Sequence, residues 1–163
     1  MNAFILSQIL IGVAFLFDLA SFQFKKREIT LTLFAISAAL ISTHFFLLGA
    51  ITAGFIIAAS ATRFLVSIFT TSPYLKYIFL VIIISLGVYT FDGYEDFFAI
   101  FTGIAATFAA FQSDEKRLRQ FMMAGTSSII IHNILIRSPA AIALEIFFLG
   151  SNLLSYYRFY IRK

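Results

Sequence analysis

Long, mostly uncharged apolar runs fill most of this 163-residue chain, and short charged or turn-forming segments separate them. An apolar run of about 20 residues crosses the hydrocarbon core of a bilayer as a helix. Lipid cannot bond to backbone amides, which a helix bonds internally, and the runs lack the alternation of barrel strands. They predict seven transmembrane helices, at residues 3–22, 29–48, 51–69, 77–91, 97–111, 121–136 and 140–157.

The composition leaves too little charge to cover a surface that faces water. Charged residues make up 12% of the chain and hydrophobic residues 61%, whereas a soluble domain carries about 25% charged residues. Seven spans of about 20 residues also leave only short loops. We therefore predict an all-α polytopic membrane protein in which residues 1–163 form a single integral membrane domain.

The basic residues predict the orientation of the chain, because cytoplasmic loops carry an excess of lysine and arginine. With the N-terminus outside and the C-terminus inside, 10 of the 12 basic residues fall in cytoplasmic segments. These ten are Lys25, Lys26, Arg27, Lys76, Lys116, Arg117, Arg119, Arg158, Arg162 and Lys163. Arg63 falls in the cytoplasmic part of the third span and Arg137 outside. Topology thus accounts for the net charge of +4, and no nucleic-acid partner is expected.

Matched polar positions indicate an internal repeat. Gln23 and Gln112, His44 and His132, and Arg63 and Asn152 are each separated by 88 or 89 residues. Seven spans divide naturally into three, one and three, and one intervening span gives both triplets the same direction. We predict parallel triple-helix repeats at about 3–70 and 97–157, joined by a linker helix at about 77–91.

Polar side chains inside the spans fall into two layers. Such groups are costly in lipid and need a partner, an aqueous cavity or the interface. The outer layer, predicted to bind a small hydroxylated or heterocyclic solute, consists of His44, His132, Asn133 and Glu145. The alternative is that each histidine only bonds a neighbouring helix.

The inner layer is predicted to form a gate or a structural polar layer. It consists of Asp18, Arg63, Gln23, Gln112 and Asn152. Asp18 and Arg63 share a similar depth, so an ion pair between them would neutralise both charges. The alternative is that each side chain extends separately to the interface.

The residue pattern argues against metal, cofactor and enzyme chemistry. Neither histidine has a second metal ligand at helical spacing, and the chain has no cysteine. Nucleophiles, carboxylate pairs and glycine-rich phosphate loops of usable spacing are likewise missing from the sequence. We expect no metal site, no cofactor and no enzymatic activity.

The stretch from His44 to Gly54, with the sequence HFFLLGAITAG, is followed by Arg63 and resembles the YgjV family of bacterial inner membrane proteins. The likeness continues through Phe111-Gln112, Arg119, Asn133, Ser138, Glu145 and Ser151-Asn152, and so covers nearly the whole chain. This resemblance implies a location in the bacterial cytoplasmic membrane and carries no assigned activity. In topology alone, the plan is similar to the SWEET sugar transporters and the PnuC vitamin transporters.

Two functions follow as hypotheses. The first is a small transporter or facilitator of a polar metabolite that works by alternating access between two triple-helix bundles. The second is a non-transporting membrane scaffold or accessory subunit, in which the polar residues only pin the bundle. The partners expected are membrane lipids, a small polar solute and, as an alternative to a monomer, further copies of the chain.

Overall fold

The computed structural model describes residues 3–47, 51–91, 93–94, 96–135 and 139–162, without the side chains of residues 4, 8, 45, 51–56, 133 and 139–141. These residues form seven α-helices and one short π-helix, with no strand among them, which confirms the predicted all-α class. Among them, no single helix combines the length and apolar composition needed to cross a membrane. Gly49, Ala50, Arg137 and Ser138 lie outside the described residues.

The helices follow the predicted runs closely. They are α1 (Ala3–Ser21), α2 (Arg27–Leu47), α3 (Ile51–Phe69), α4 (Pro73–Tyr89), α5 (Asp96–Ala110), α6 (Glu115–Leu135) and α7 (Pro139–Tyr156). A π-helix at Tyr157–Ile161, here called the C-terminal π-helix, continues directly from α7.

Two helices begin four or more residues before their predicted apolar runs. Helix α4 starts at Pro73, which needs no amide partner at the first helical position, and the Ser72 carbonyl accepts from the Lys76 amide. Helix α6 starts inside the charged run, where the Asp114 carboxylate accepts a hydrogen bond from the Lys116 amide. Hydropathy marks the apolar part of each helix, whereas Pro73 and the Asp114 cap favour these earlier starts.

The chain divides into two compact units, Met1–Phe69 and Thr70–Lys163. In the first unit, α2 packs against both α1 and α3. The Phe34 ring on α2 lies 5.6 Å from the Phe22 ring and 5.4 Å from the Phe64 ring, measured between centroids. Buried Ala35 and Ala61 add small side chains to the packed faces.

In the second unit, α6 packs against α5 and α7, and α4, the predicted linker helix, packs against α5. Two glycines permit the close contact between α4 and α5. A Cβ atom added at Gly87 would lie 2.6 Å from Ile100, and one added at Gly103 would lie 2.7 Å from Ile83. Either added atom would force the facing isoleucine to move.

Candidate functional site

His44 joins the last turn of α2 to α1. Its side chain is buried, and its Nδ1 lies 2.9 Å from the backbone carbonyl oxygen of Ser7, which is also buried. A carbonyl oxygen only accepts, so Nδ1 carries the proton in this bond. This is the helix-to-helix bond that the alternative interpretation of the histidines expected. Solute binding by His44 stays a prediction.

Asp18, in the last turn of α1, faces the hydroxyl group of Ser37 on α2. Ser37 is 1% exposed, and its hydroxyl forms no hydrogen bond of standard geometry within the described part of the chain. The contact is therefore a loose polar one. The expected ion pair between Asp18 and Arg63 is wrong for this structure. Because α2 packs against both α1 and α3, the Asp18 side chain meets α2 instead of α3.

Two arginines lie inside the first unit. The Arg63 side chain on α3 is 2% exposed, and its guanidinium lies 4.7 Å from the centroid of the Phe64 ring. Arg27, the first residue of α2, donates from Nη2 to the Ser67 carbonyl oxygen at 2.7 Å. Carbonyls in the last turn of a helix have no partner within that helix, so Arg27 caps the end of α3.

The other residues of the predicted outer layer belong to the second unit. His132, in the last turn of α6, and Glu145, on α7, are both partly buried. Asn133 follows His132 on α6, but its side chain is outside the described residues. Solute contact by these three residues stays a prediction.

The inner-layer residues differ in their surroundings. Gln23 is exposed, and Gln112, just after the end of α5, donates from Nε2 to the Phe108 carbonyl oxygen of that helix at 3.2 Å. Asn152 on α7 is fully buried and donates from Nδ2 to the Arg119 carbonyl oxygen on α6 at 3.1 Å. Its Oδ1 has no hydrogen-bond partner among the described residues. Asn152 thus ties α7 to α6 and keeps a buried acceptor available.

A buried ion pair lies near the start of α6, where the sequence predicted only basic residues that orient the chain in the membrane. Arg119 is fully buried, and its Nη2 lies 3.0 Å from Oε1 of Glu115, one helical turn earlier. The guanidinium carbon lies 5.5 Å from the centroid of the Phe159 ring, in the C-terminal π-helix. We call Glu115, Arg119, Asn152, Phe159 and Tyr160 the Arg119 cluster.

Burial shifts the pKa values of two groups in this cluster, Arg119 and Tyr160. It lowers the pKa of Arg119, while the Glu115 carboxylate acts in the opposite direction. Burial raises the pKa of Tyr160, and the negative charge of Glu115 raises it further. The cluster is thus held together by one compensated pair of charges and aromatic rings. The spacing of Glu115 and Arg119, four residues apart on one helix, was the sequence signal that could have revealed it.

An open, mostly apolar groove of about 310 Å³ lies between α5 and α6. It is lined by Phe97, Phe98, Phe101, Ala124, Ser127, Ser128 and Ile131. Near it, the two helices are joined by hydrogen bonds from Thr102 to the Gly125 carbonyl oxygen at 3.0 Å and from Ser128 to the Phe98 carbonyl oxygen at 3.0 Å. The groove offers few polar groups to a solute.

An all-α chain with a mean hydropathy of +0.96 that buries arginine, histidine and asparagine inside its helical units has the character of a helical membrane protein. A sequence model of the Imp-YgjV family, described as bacterial inner membrane protein, matches residues 5–163. The chain is 30% identical over 151 residues to the inner membrane protein YgjV of Escherichia coli strain K12, covering 93% of this chain and 79% of that protein. No solved structure matches.

The chain therefore belongs to the YgjV family of bacterial inner membrane proteins. Its location is the bacterial inner membrane. The residues around His44 and along the second half of the chain predicted this family and this location. Both predictions are confirmed.

Proposed function

We propose that this protein is a small multi-pass transporter or facilitator that carries a polar metabolite across the inner membrane. In this proposal its seven helices span the bilayer with the N-terminus outside and the C-terminus inside. Residues 3–70 and 97–157 form parallel repeats of three helices, and 77–91 is the helix that links them. Alternating access arises from movement of one three-helix bundle against the other.

The observation that carries the proposal is the equivalent placement of two histidines. Helices α2 and α6 are each 21 residues long, and each packs against the helix before it and the helix after it. His44 and His132 each stand three residues before the last residue of their helix. Ionisable side chains inside membrane helices are costly, and they mark solute and proton pathways in transporters.

The predicted layers then take different tasks. His44, His132, Asn133 and Glu145 would contact the solute, because imidazole, amide and carboxylate groups together offer both donors and acceptors. Asp18 and Arg63, with Gln23, Gln112 and Asn152, would form the cytoplasmic gate or hold its helices in register. In this proposal the bond from His44 to Ser7 fixes the orientation of the imidazole ring.

Flux measurements on purified protein in liposomes test the proposal. Labelled hydroxylated and heterocyclic metabolites are supplied outside, and uptake by counterflow is followed over time. At least one solute should enter faster than into empty liposomes. His132→Ala and His44→Ala should each slow that uptake by about tenfold, the effect of losing one hydrogen bond of about 1.4 kcal/mol.

Thr43→Ala is the matched control, because Thr43 is exposed and its hydroxyl bonds to the Ala39 carbonyl of its own helix. It should transport like the unchanged protein. Equal uptake by all three variants would show that neither histidine lies on the solute pathway. Folded protein that moves none of the solutes would contradict transport itself.

The alternative, a scaffold or accessory subunit, is favoured by the surface of α4. Val81 is 63% exposed, Val88 67% and Tyr89 90%, so much of this apolar helix is uncovered within the described structure. A partner protein that co-purifies from native membranes in a fixed ratio, and is lost when Val81 and Val88 are replaced by polar residues, would support that function instead.

A further inference from the structure

A basic surface is assembled at one end of the second unit from two segments that are far apart in sequence. Lys116 and Arg117 lie in the first turn of α6, and Arg158 and Arg162 lie in or just after the C-terminal π-helix. All four side chains are exposed. We call these four residues the basic surface.

Contacts around the Phe159 ring and one hydrogen bond hold the two segments together. The guanidinium carbon of Arg158 lies 4.4 Å from the centroid of Phe159, and that of buried Arg119 lies 5.5 Å from the same centroid. Gln120 on α6 donates to the Tyr156 hydroxyl at 2.9 Å. The start of α6 and the end of the chain are therefore joined at two points, and their exposed cations share one end of the unit.

Two acidic residues, Asp114 and Glu115, lie directly before Lys116 in the sequence. Glu115 is buried, and its carboxylate is already paired with Arg119. Asp114 accepts a hydrogen bond from the Lys116 amide as the cap of α6. The basic surface thus presents four exposed basic side chains, and Asp114 is the one exposed acidic side chain between residues 113 and 120.

We propose that the basic surface is a binding site for the headgroup of an anionic phospholipid. Clusters of lysine and arginine beside membrane helices attract anionic lipid, and arginine can bind a phosphate through two parallel hydrogen bonds. Tyr156, Tyr157 and Tyr160 in the same segment are residues that favour the headgroup level of a membrane. The inner membrane location supplies the lipid. The inference is independent of the transport proposal.

Native mass spectrometry of the full chain in detergent, titrated with phosphatidylglycerol or with phosphatidylcholine, tests this site. The unchanged protein should bind phosphatidylglycerol more tightly. Arg158→Gln with Arg162→Gln, and separately Lys116→Gln with Arg117→Gln, should each weaken phosphatidylglycerol binding by about fivefold per charge removed. Raising the salt concentration should weaken it as well.

Lys25→Gln with Lys26→Gln is the matched control, because it removes two exposed charges from the first unit. It should leave the affinity for phosphatidylglycerol unchanged. Phe159→Ala keeps every charge but removes the ring that both arginines contact, so it should lower the affinity if the surface is an assembled site. Circular dichroism verifies that each variant is folded.

Three outcomes would overturn the inference. The first is equal loss of affinity in the control and in the basic-surface variants, which would indicate that only total charge matters. The second is unchanged affinity in folded Phe159→Ala. The third is displacement of the lipid by inorganic phosphate at matched ionic strength, which would indicate a site for a soluble anion.

Discussion

Three buried polar residues of this protein bond to neighbouring helices. The imidazole of His44 donates to Ser7, Arg27 donates to Ser67, and Asn152 donates to the carbonyl of Arg119. Each bond runs from a side chain to a backbone carbonyl on another helix. In an apolar bundle such bonds specify which helix faces which, because an unsatisfied polar group there costs more than it does in water.

The ion pair between Glu115 and Arg119 should contribute strongly to stability. Glu115→Ala leaves a fully buried guanidinium without the carboxylate that compensates its charge. Removing one partner of a buried pair costs about 3–5 kcal/mol. We expect the free energy of unfolding, measured by thermal or denaturant unfolding in detergent micelles, to fall by about that amount.

Glu28→Ala provides the comparison. Glu28 holds the corresponding place in the first turn of α2 but is exposed. Its loss should cost less than about 1 kcal/mol, the usual effect of an acidic residue on the helix dipole. Equal effects of the two substitutions would mean that burial of the Arg119 cluster adds nothing to the free energy of unfolding.

At the scale of whole helices, apolar runs located every element but not every boundary. Twelve of the fourteen predicted starts and ends lie within two residues of the observed ones, and the two exceptions are the starts of α4 and α6. Helix α6 begins six residues before its predicted start at 121. Charged residues are good helix formers, and Asp114 caps them, so hydropathy could not mark that boundary.

The contact between α4 and α5 should depend on its glycines. Gly103→Val would place a branched side chain where a single added carbon already lies 2.7 Å from Ile83. Overpacking of this kind costs about 1–3 kcal/mol. We expect the melting temperature in detergent to fall, with loss of the packing between the two helices visible by crosslinking of introduced cysteines.

Gly150→Val tests the same change in the same unit. Nothing lies within 4 Å of a Cβ atom added there. Its stability should stay within about 0.5 kcal/mol of the unchanged protein, as for other uncrowded positions. A larger effect at Gly150 than at Gly103 would show that helix propensity, and not packing, controls the response.

At the scale of the whole molecule, the middle helix of each proposed repeat packs against the other two helices of that repeat. In the first unit α2 contacts α1 and α3, and in the second α6 contacts α5 and α7. Parallel repeats separated by one span require an odd number of crossings and termini on opposite sides of the membrane.

The absence of cysteine from the sequence makes that topology directly testable. With the N-terminus outside and the C-terminus inside, Tyr94 is external and Ser113 cytoplasmic, and both are exposed. In intact spheroplasts, a membrane-impermeant maleimide should label Tyr94→Cys and leave Ser113→Cys unlabelled until the cells are lysed. The reverse pattern would invert the topology, and labelling of both would contradict the assignment of spans.

The sequence by itself determined the helical class, the number of helices and the family. These follow from the length and spacing of apolar runs and from a contiguous motif near His44, which are properties of neighbouring residues. It also identified His44, Arg63 and Asn152 as polar residues inside helices, and these three are buried. Such residues stand out in an apolar chain because lipid cannot stabilise them.

Only the tertiary structure decided which of these residues meet. Asp18 contacts Ser37 because α2 packs on α1, and the end of the chain returns to the first turn of α6 because Phe159 packs beside Arg119. Those pairings depend on helix rotation and on which helices are neighbours. Both are set by the summed packing of many side chains, and periodicity along one helix does not encode them.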